Sequence, residues 1–146
     1  MTQEELDAMA AKLKTREADK IEYQKPQVGT LSLAEWQYHV ISTTAAAAPV
    51  PSLAAKWIKQ TFVANSMEEL NDPPEFESLS IKVANAAFHI CSEDLRREVA
   101  IERDKEMMLH DRLLGGRCLL WMITHRMRLS DTDNLYEITD LQRLEV

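Results

Sequence analysis

The longest run of large apolar side chains in this chain extends from Cys118 to Ile123. Because a segment that is apolar on every side must be buried on every side, we expect it at the centre of the folded domain. Few of its residues are β-branched, and residues 124–129 continue it as a helix would, which favours a buried helix, although periodicity alone also allows a buried strand. The chain has only 3 Gly and no Asn-Gly or Asp-Gly pair for tight hairpin turns. The sequence therefore predicts an all-α fold.

A core helix is predicted shortly before this run. Its apolar residues recur at helical spacing and would share one buried face. They are Leu79, Val83, Ala86, Ala87 and Ile90.

A second helix is predicted to begin at Ser92, whose hydroxyl can accept a hydrogen bond from an unpaired backbone N–H group at the helix N-terminus. Its apolar stripe consists of Leu95, Val99, Leu109 and Leu113. Glu102 and Glu106 interrupt this stripe, so we expect the middle of the helix to be solvated. The pair Gly115-Gly116 is predicted to end the helix, because Gly adopts the left-handed C′ conformation without a steric cost.

The start of the chain is predicted to be an amphipathic helix from Thr2 to Tyr23, with Thr2 and Glu5 spaced as a capping box. Its apolar face is narrow, so we expect this helix to pack lightly on the body, or to extend toward a partner or a second copy of the chain. The sequence is accordingly divided into an N-terminal helix at 1–25 and a helical core domain at 26–146.

Two further helices are predicted between this N-terminal helix and the core helix. Ser32 is expected to cap the first, which Pro49 and Pro51 should end, and the second is expected to start at Ser52. The segment 71–74, Asn-Asp-Pro-Pro, then breaks the helical pattern.

A length of 146 residues fits one domain with its own core. We therefore predict a single-domain bundle of about five to six helices, with the option of a short extended piece at 135–138. The two cysteines, Cys91 and Cys118, are expected to be reduced thiols in a cytoplasmic protein, since no signal peptide begins the sequence. No apolar run approaches the ~20 residues that a membrane span requires.

The search for catalytic chemistry finds no nucleotide-binding, zinc-protease or nucleophile motif. One helical face places acidic residues and an imidazole at every fourth position: Glu98, Glu102, Glu106 and His110. Such a face could hold a metal, but no second Glu-x-x-His helix accompanies it, so a solvated face is the preferred interpretation. His89 and Cys91 are interpreted as packing residues. We expect no enzyme activity, no cofactor and no metal.

The formal net charge of −7 is unevenly distributed along the chain. Residues 96–128 carry eight Arg or Lys and five Asp or Glu, whereas the residues from 129 onward carry five acids and one Arg. This basic segment is either neutralised by the acidic tail of the same chain or presented to a partner. The residues predicted to bind a partner are Arg112, Arg117, His125, Arg126 and Arg128.

These observations predict a non-enzymatic protein–protein interaction module: an adaptor, an inhibitor or an assembly factor acting on a larger complex, of the kind that phages or mobile elements encode. The expected partner is another protein, with an acidic surface, and the N-terminal helix could join copies of the chain into a homo-oligomer. The alternative is a nucleic-acid-associated protein in replication, packaging or transcription, because Arg fits phosphate as well as carboxylate. No helix-turn-helix, RNA-recognition or zinc-finger signature supports this alternative.

Overall fold

The computed structural model describes residues 2–5, 16–26 and 33–129. Its main helices are α1 (Leu33–Ala47), α2 (Pro51–Val63), α3 (Glu77–Ile90), α4 (Glu93–His110) and α5, which covers 116–129. Two single-turn 3-10 helices, Met67–Glu69 and Pro74–Phe76, connect α2 to α3. No strand occurs within these described ranges, and the predicted all-α, single-domain helical bundle is confirmed. The extended piece predicted at 135–138 lies outside them.

Helix α5 occupies the centre of the bundle, as its apolar composition predicts. Its buried apolar residues are Cys118, Leu119, Leu120 and Ile123. Its hydrogen bonds reach α2 through Arg117, α3 through Gly116 and α4 through Arg126. The interpretation of this run as a buried helix rather than a buried strand is confirmed.

Met122 and Trp121 differ from the rest of this run because they are only half-buried, and the contacts of Trp121 account for its position. Its Nε1 donates a hydrogen bond to the carbonyl oxygen of Ala64 at 3.1 Å, and its ring stacks on His125 with 4.9 Å between centroids. An indole has one polar atom that needs a partner, so it lies where that partner is available, here at the end of α2.

The two helices that precede α5 begin as predicted. All five residues of the predicted apolar face of α3 are buried. Ser92 caps α4 by accepting a hydrogen bond from the backbone N–H of Leu95 at 3.3 Å, and the buried residues of α4 are Leu95 and Val99.

Helix α4 ends earlier than the sequence predicts. It ends at His110, where Asp111 adopts the left-handed conformation with φ 52° and donates its backbone N–H to the oxygen of Met107 at 3.1 Å. Asp enters this conformation more readily than most residues because its short polar side chain can bond locally. Leu109 and Leu113, which the sequence places on the apolar stripe of this helix, are 73% and 64% exposed.

The glycine pair therefore serves another purpose, which is the close approach of α5 to α3. A Cβ on Gly116 would lie 2.5 Å from the carbonyl oxygen of Ser80 and 2.6 Å from the Val83 side chain. Only a residue without a side chain allows this contact without displacing α3.

Helices α1 and α2 pack as an adjacent pair, with the Trp36 and Phe62 rings in edge-on contact at 6.4 Å between centroids. Helix α1 ends at Ala47 ahead of the two prolines, as predicted. The predicted start of α2 at Ser52 is one residue late, however. The helix begins at Pro51, because the missing N–H and fixed φ of proline suit the first helical position.

Residues 16–26 are not helical, so the predicted helix from Thr2 to Tyr23 is wrong over this part. The start is as predicted, since residues 3–5 are helical and Thr2 Oγ1 accepts the N–H of Glu5 at 3.3 Å. Residues 6–15 make up the rest of the predicted helix and of its predicted oligomer contact. They lie outside the described ranges.

The segment 16–26, here called the strap, instead runs antiparallel beside α1. The backbone N–H of Ala18 bonds to the oxygen of Ala47 at 2.8 Å, and the Tyr23 hydroxyl bonds to Thr44 Oγ1 at 2.6 Å. Ile21 and Tyr23 are part of the hydrophobic core. These tertiary contacts outweigh the helix propensity of the segment, and the core extends N-terminal to the predicted boundary at residue 26.

Candidate functional site

Arg117, a predicted partner-binding residue, lies in the interior with 2% of its surface exposed. Its Nε donates to Asp72 Oδ1 at 2.9 Å. Its other guanidinium nitrogens bond to the Trp57 carbonyl oxygen, to Gln60 Oε1 and to the Asn71 carbonyl oxygen at 3.2, 2.7 and 2.9 Å. The prediction that Arg117 faces a partner is therefore corrected. All three nitrogens of its guanidinium group donate hydrogen bonds to acceptors within the chain, as a buried charge requires.

Asp72 connects this arginine to two further elements. Its Oδ1 also accepts the indole N–H of Trp57 at 3.1 Å, and its Oδ2 accepts the hydroxyl of Ser80 at 2.5 Å. The Ser80 oxygen in turn accepts the backbone N–H of Gly116 at 2.9 Å. The buried network formed by Trp57, Asp72, Ser80 and Arg117 thus fixes the loop before α3 against α2 and α5.

The other predicted partner-binding residues do not form one patch with Arg117. Arg126 pairs with Glu98 of α4 at 3.0 Å, and Arg128 donates to the carbonyl oxygen of Phe62 at 3.0 Å. The His125 ring stacks on Trp121. The contacts of Arg126 and Arg128 join α5 to α4 and α2, whereas the stacking of His125 lies within α5, so part of the basic segment is balanced within the chain. The acidic tail proposed to neutralise it lies outside the described ranges.

Arg112 is the one member of the predicted set that lines a large cleft. The cleft has a volume of about 690 Å³ and lies between residues 67–81 on one side and residues 102–115, from α4 and the loop after it, on the other. Arg112 donates to Glu106 Oε1 at 2.8 Å, and His110 Nδ1 lies 3.1 Å from the same oxygen. This contact fixes the loop after α4 against the helix.

The walls of the cleft combine apolar and acidic side chains. The exposed apolar residues among them are Ile81, Met107 and Leu113. Six carboxylates line the cleft, against Arg112 and His110: Glu68, Asp72, Glu77, Glu102, Glu106 and Asp111. Carboxylates therefore outnumber the cationic side chains among the residues that line this cleft.

The glutamate and histidine face of α4 contributes to this cleft without forming a metal centre. Glu102 and Glu106 are half-buried at its wall, whereas Glu98 pairs with Arg126 away from it. No group of three or more possible metal ligands occurs in the part of the chain that the structure describes.

The C-terminal half of α4 projects beyond the core. After Val99, none of the residues up to Leu113 is buried. Five large apolar side chains of this projecting end are exposed: Ile101, Met107, Met108, Leu109 and Leu113. Several exposed large apolar side chains on one segment mark an interaction site more often than a single exposed residue does.

The cysteines provide no reactive thiol. Both are free and buried, and burial raises the pKa of each thiol to about 11. Cys91 packs as predicted, with its Sγ bonded to the oxygen of Ala87 at 3.2 Å. The prediction for His89 is corrected, since this residue is exposed and lines a smaller cavity of about 380 Å³ beside the strap.

Sequence reasoning missed Asp72 and Trp57 as partners of Arg117, and Ser80 as a partner of Asp72. The sequence did mark 71–74 as a break, but nothing in it pairs Asp72 with an arginine 45 residues away.

None of the helices in the described ranges is long and apolar enough to cross a membrane. Comparison of the chain with protein-family models, with curated proteins and with solved structures gave no match.

Proposed function

We propose that this chain is a non-enzymatic protein–protein interaction module that binds its partner with the projecting end of α4. The observation that carries this proposal is the exposure of Ile101, Met107, Met108, Leu109 and Leu113 on one projecting segment. Apolar side chains that the fold leaves exposed contribute the transfer free energy of their surface when they are buried against another protein.

The composition of this surface suits a binding role. Methionine side chains adapt to partners of different shape because they are unbranched and polarisable. The consecutive residues Met107 and Met108 are 44% and 83% exposed. Arg112, from the predicted partner-binding set, lies at the same end of the molecule. An adaptor, an inhibitor or an assembly factor acting on a larger complex in the cytoplasm is the class of protein that we propose.

The test is affinity capture from cells of the source organism, followed by mass spectrometry, with the wild type and the double variant Met108→Ser/Leu109→Ser. A matched control is Leu53→Ser/Val63→Ser, because these two residues of α2 are also exposed, at 53% and 70%. We expect the α4 variant to lose specific co-purifying proteins while the α2 variant retains them. Equal capture by the two variants would contradict the proposal, provided that both keep the wild-type melting temperature.

A further inference from the structure

We propose that the cleft between residues 67–81 and 102–115 binds a basic, amphipathic helical segment of the partner protein. This inference rests on the proposed function and gives the partner its chemistry. The sequence predicts that a basic segment meets an acidic partner, whereas this cleft is lined by carboxylates and would bind a basic partner.

The size and walls of the cleft fit a peptide segment. A volume of about 690 Å³ accommodates several side chains at once, and pockets of roughly 300–1,000 Å³ are typical of binding sites. Ile81, Met107 and Leu113 are 40%, 44% and 64% exposed on its walls. A ligand with an apolar face would cover them.

The charge of the walls selects the sign of the ligand. Three of the six carboxylates, Glu68, Glu77 and Asp111, have no ion-pair partner within 4.0 Å among the described residues. The cationic residue of the walls, Arg112, is already paired with Glu106. Lysine and arginine side chains would therefore be attracted to this cleft and carboxylates repelled, an arrangement that sets partner choice more than affinity.

The two walls are held in place without a ligand. The buried pair of Asp72 and Arg117 anchors the first wall to α2 and α5. Hydrogen bonding of Arg112 to Glu106 anchors the loop that forms the second wall. Because the site is already formed, the free energy of binding is not spent on ordering the walls.

The combination of apolar and acidic walls distinguishes an amphipathic peptide from other cations. A small polycation would satisfy the carboxylates but leave Ile81, Met107 and Leu113 exposed to water. A helix with leucines on one face and lysines on the other satisfies both, which is the mode in which an amphipathic helix lies in an apolar groove.

The probe is a fluorescein-labelled peptide of about 18 residues, roughly five helical turns, with Leu on one helical face and Lys on the other. Binding to the full chain is measured by fluorescence anisotropy. Two counter-probes have Glu in place of Lys, or the same Leu and Lys composition without amphipathic spacing. We expect saturable binding of the first peptide, no binding of the Glu peptide, and weaker binding of the peptide without amphipathic spacing.

Two pairs of variants test whether the peptide lies in the cleft. Glu68→Gln/Glu77→Gln removes two wall charges, and Glu93→Gln/Asp104→Asn removes two exposed charges elsewhere. Leu113→Ser changes a wall residue that is 64% exposed, and Leu53→Ser changes a leucine of α2 that is 53% exposed and does not line the cleft. We expect the two wall variants to bind the peptide roughly five- to tenfold more weakly, and the two controls to bind within about twofold of the wild type.

The proposal is overturned if the Glu peptide or the peptide without amphipathic spacing binds as well as the amphipathic one. It is also overturned if the control variants weaken binding as much as the wall variants, since general attraction to an acidic protein would then explain the result. A failure here leaves the proposed function testable by itself: cellular partners lost with Met108→Ser/Leu109→Ser, together with no binding of the amphipathic peptide, would reject the cleft and retain the interaction module.

Discussion

Arg117 illustrates how far the environment of one residue decides its role. The sequence shows an arginine at the margin of an apolar run, where long basic side chains normally carry their charge into water. The structure instead turns the side chain inward to Asp72, two carbonyl oxygens and Gln60, and its guanidinium lies 5.1 Å from the centroid of the Trp57 ring. A side chain with this many partners is a structural residue.

Removing this arginine should therefore destabilise the fold. Arg117→Leu leaves the largely covered Asp72 carboxylate unpaired and should lower the free energy of unfolding by about 3–5 kcal/mol. Arg126→Leu is the matched control, because the pair of Arg126 and Glu98 is exposed on both sides, and such pairs contribute at most about 1 kcal/mol. Urea unfolding followed by circular dichroism measures both values. Similar losses in the two variants would show that the buried network does not hold the loop before α3.

At the scale of the element, the strap shows that a polar segment can be part of the core. Ile21 and Tyr23 are 4% and 8% exposed, and Glu17 is tied to α3 by hydrogen bonds from Ser78 and Lys82. Burial opposes ionisation of Glu17, but these two hydrogen bonds hold its pKa below the ordinary value. The strap thus joins α1 to α3 by apolar and by charged contacts.

Truncation at two positions tests this role. A chain that begins at Pro26 loses the buried side chains of Ile21 and Tyr23 and the Glu17 contacts, whereas a chain that begins at Arg16 keeps them. We expect the shorter chain to unfold at a temperature at least ~10 °C lower, since deleting two large buried side chains costs several kcal/mol. Differential scanning calorimetry gives the two Tm values. Equal Tm values would mean that the strap adds nothing to the core, as the thin apolar stripe of the sequence suggests.

For the whole molecule, the buried thiols couple stability to pH. Burial is the main cause that raises the pKa of Cys91 and Cys118 from 9.0 to about 11, and burial also raises the pKa of the Tyr23 hydroxyl. A raised pKa in the folded state means that the unfolded state loses its proton first as the pH increases. The stability contributed by the protonated thiols is complete below pH 9.0 and is lost as the pH rises toward 11.

The expected result is a decline of Tm between pH 9.0 and about 11 that is steeper for the wild type than for Cys91→Ala/Cys118→Ala. Thermal unfolding across this range in matched buffers measures both slopes. The variant will have a lower Tm at every pH because the replacements leave small cavities, so the comparison is between slopes. Parallel curves would show that the thiols do not contribute to the alkaline loss of stability.

The sequence by itself determined the local elements of this protein. The spacing of Leu79, Val83 and Ile90 produces a buried helix face, Ser92 caps α4, and the run from 118 to 123 enters the core as a helix. Each of these results depends on residues within a few positions of one another, where helix geometry relates sequence spacing directly to position in space.

Only the tertiary structure decided where the polar residues lie. Arg117 and Asp72 are 45 positions apart in the sequence, and Tyr23 of the strap contacts a residue of α1 more than 20 positions away. The walls of the cleft come from two distant segments. Burial of a charge depends on whether a partner is present in three dimensions, and propensity and periodicity contain no information about that partner. The acidic cleft could not be predicted for the same reason, because its carboxylates come from α4, the loop after it and the segment before α3, which the fold alone brings together.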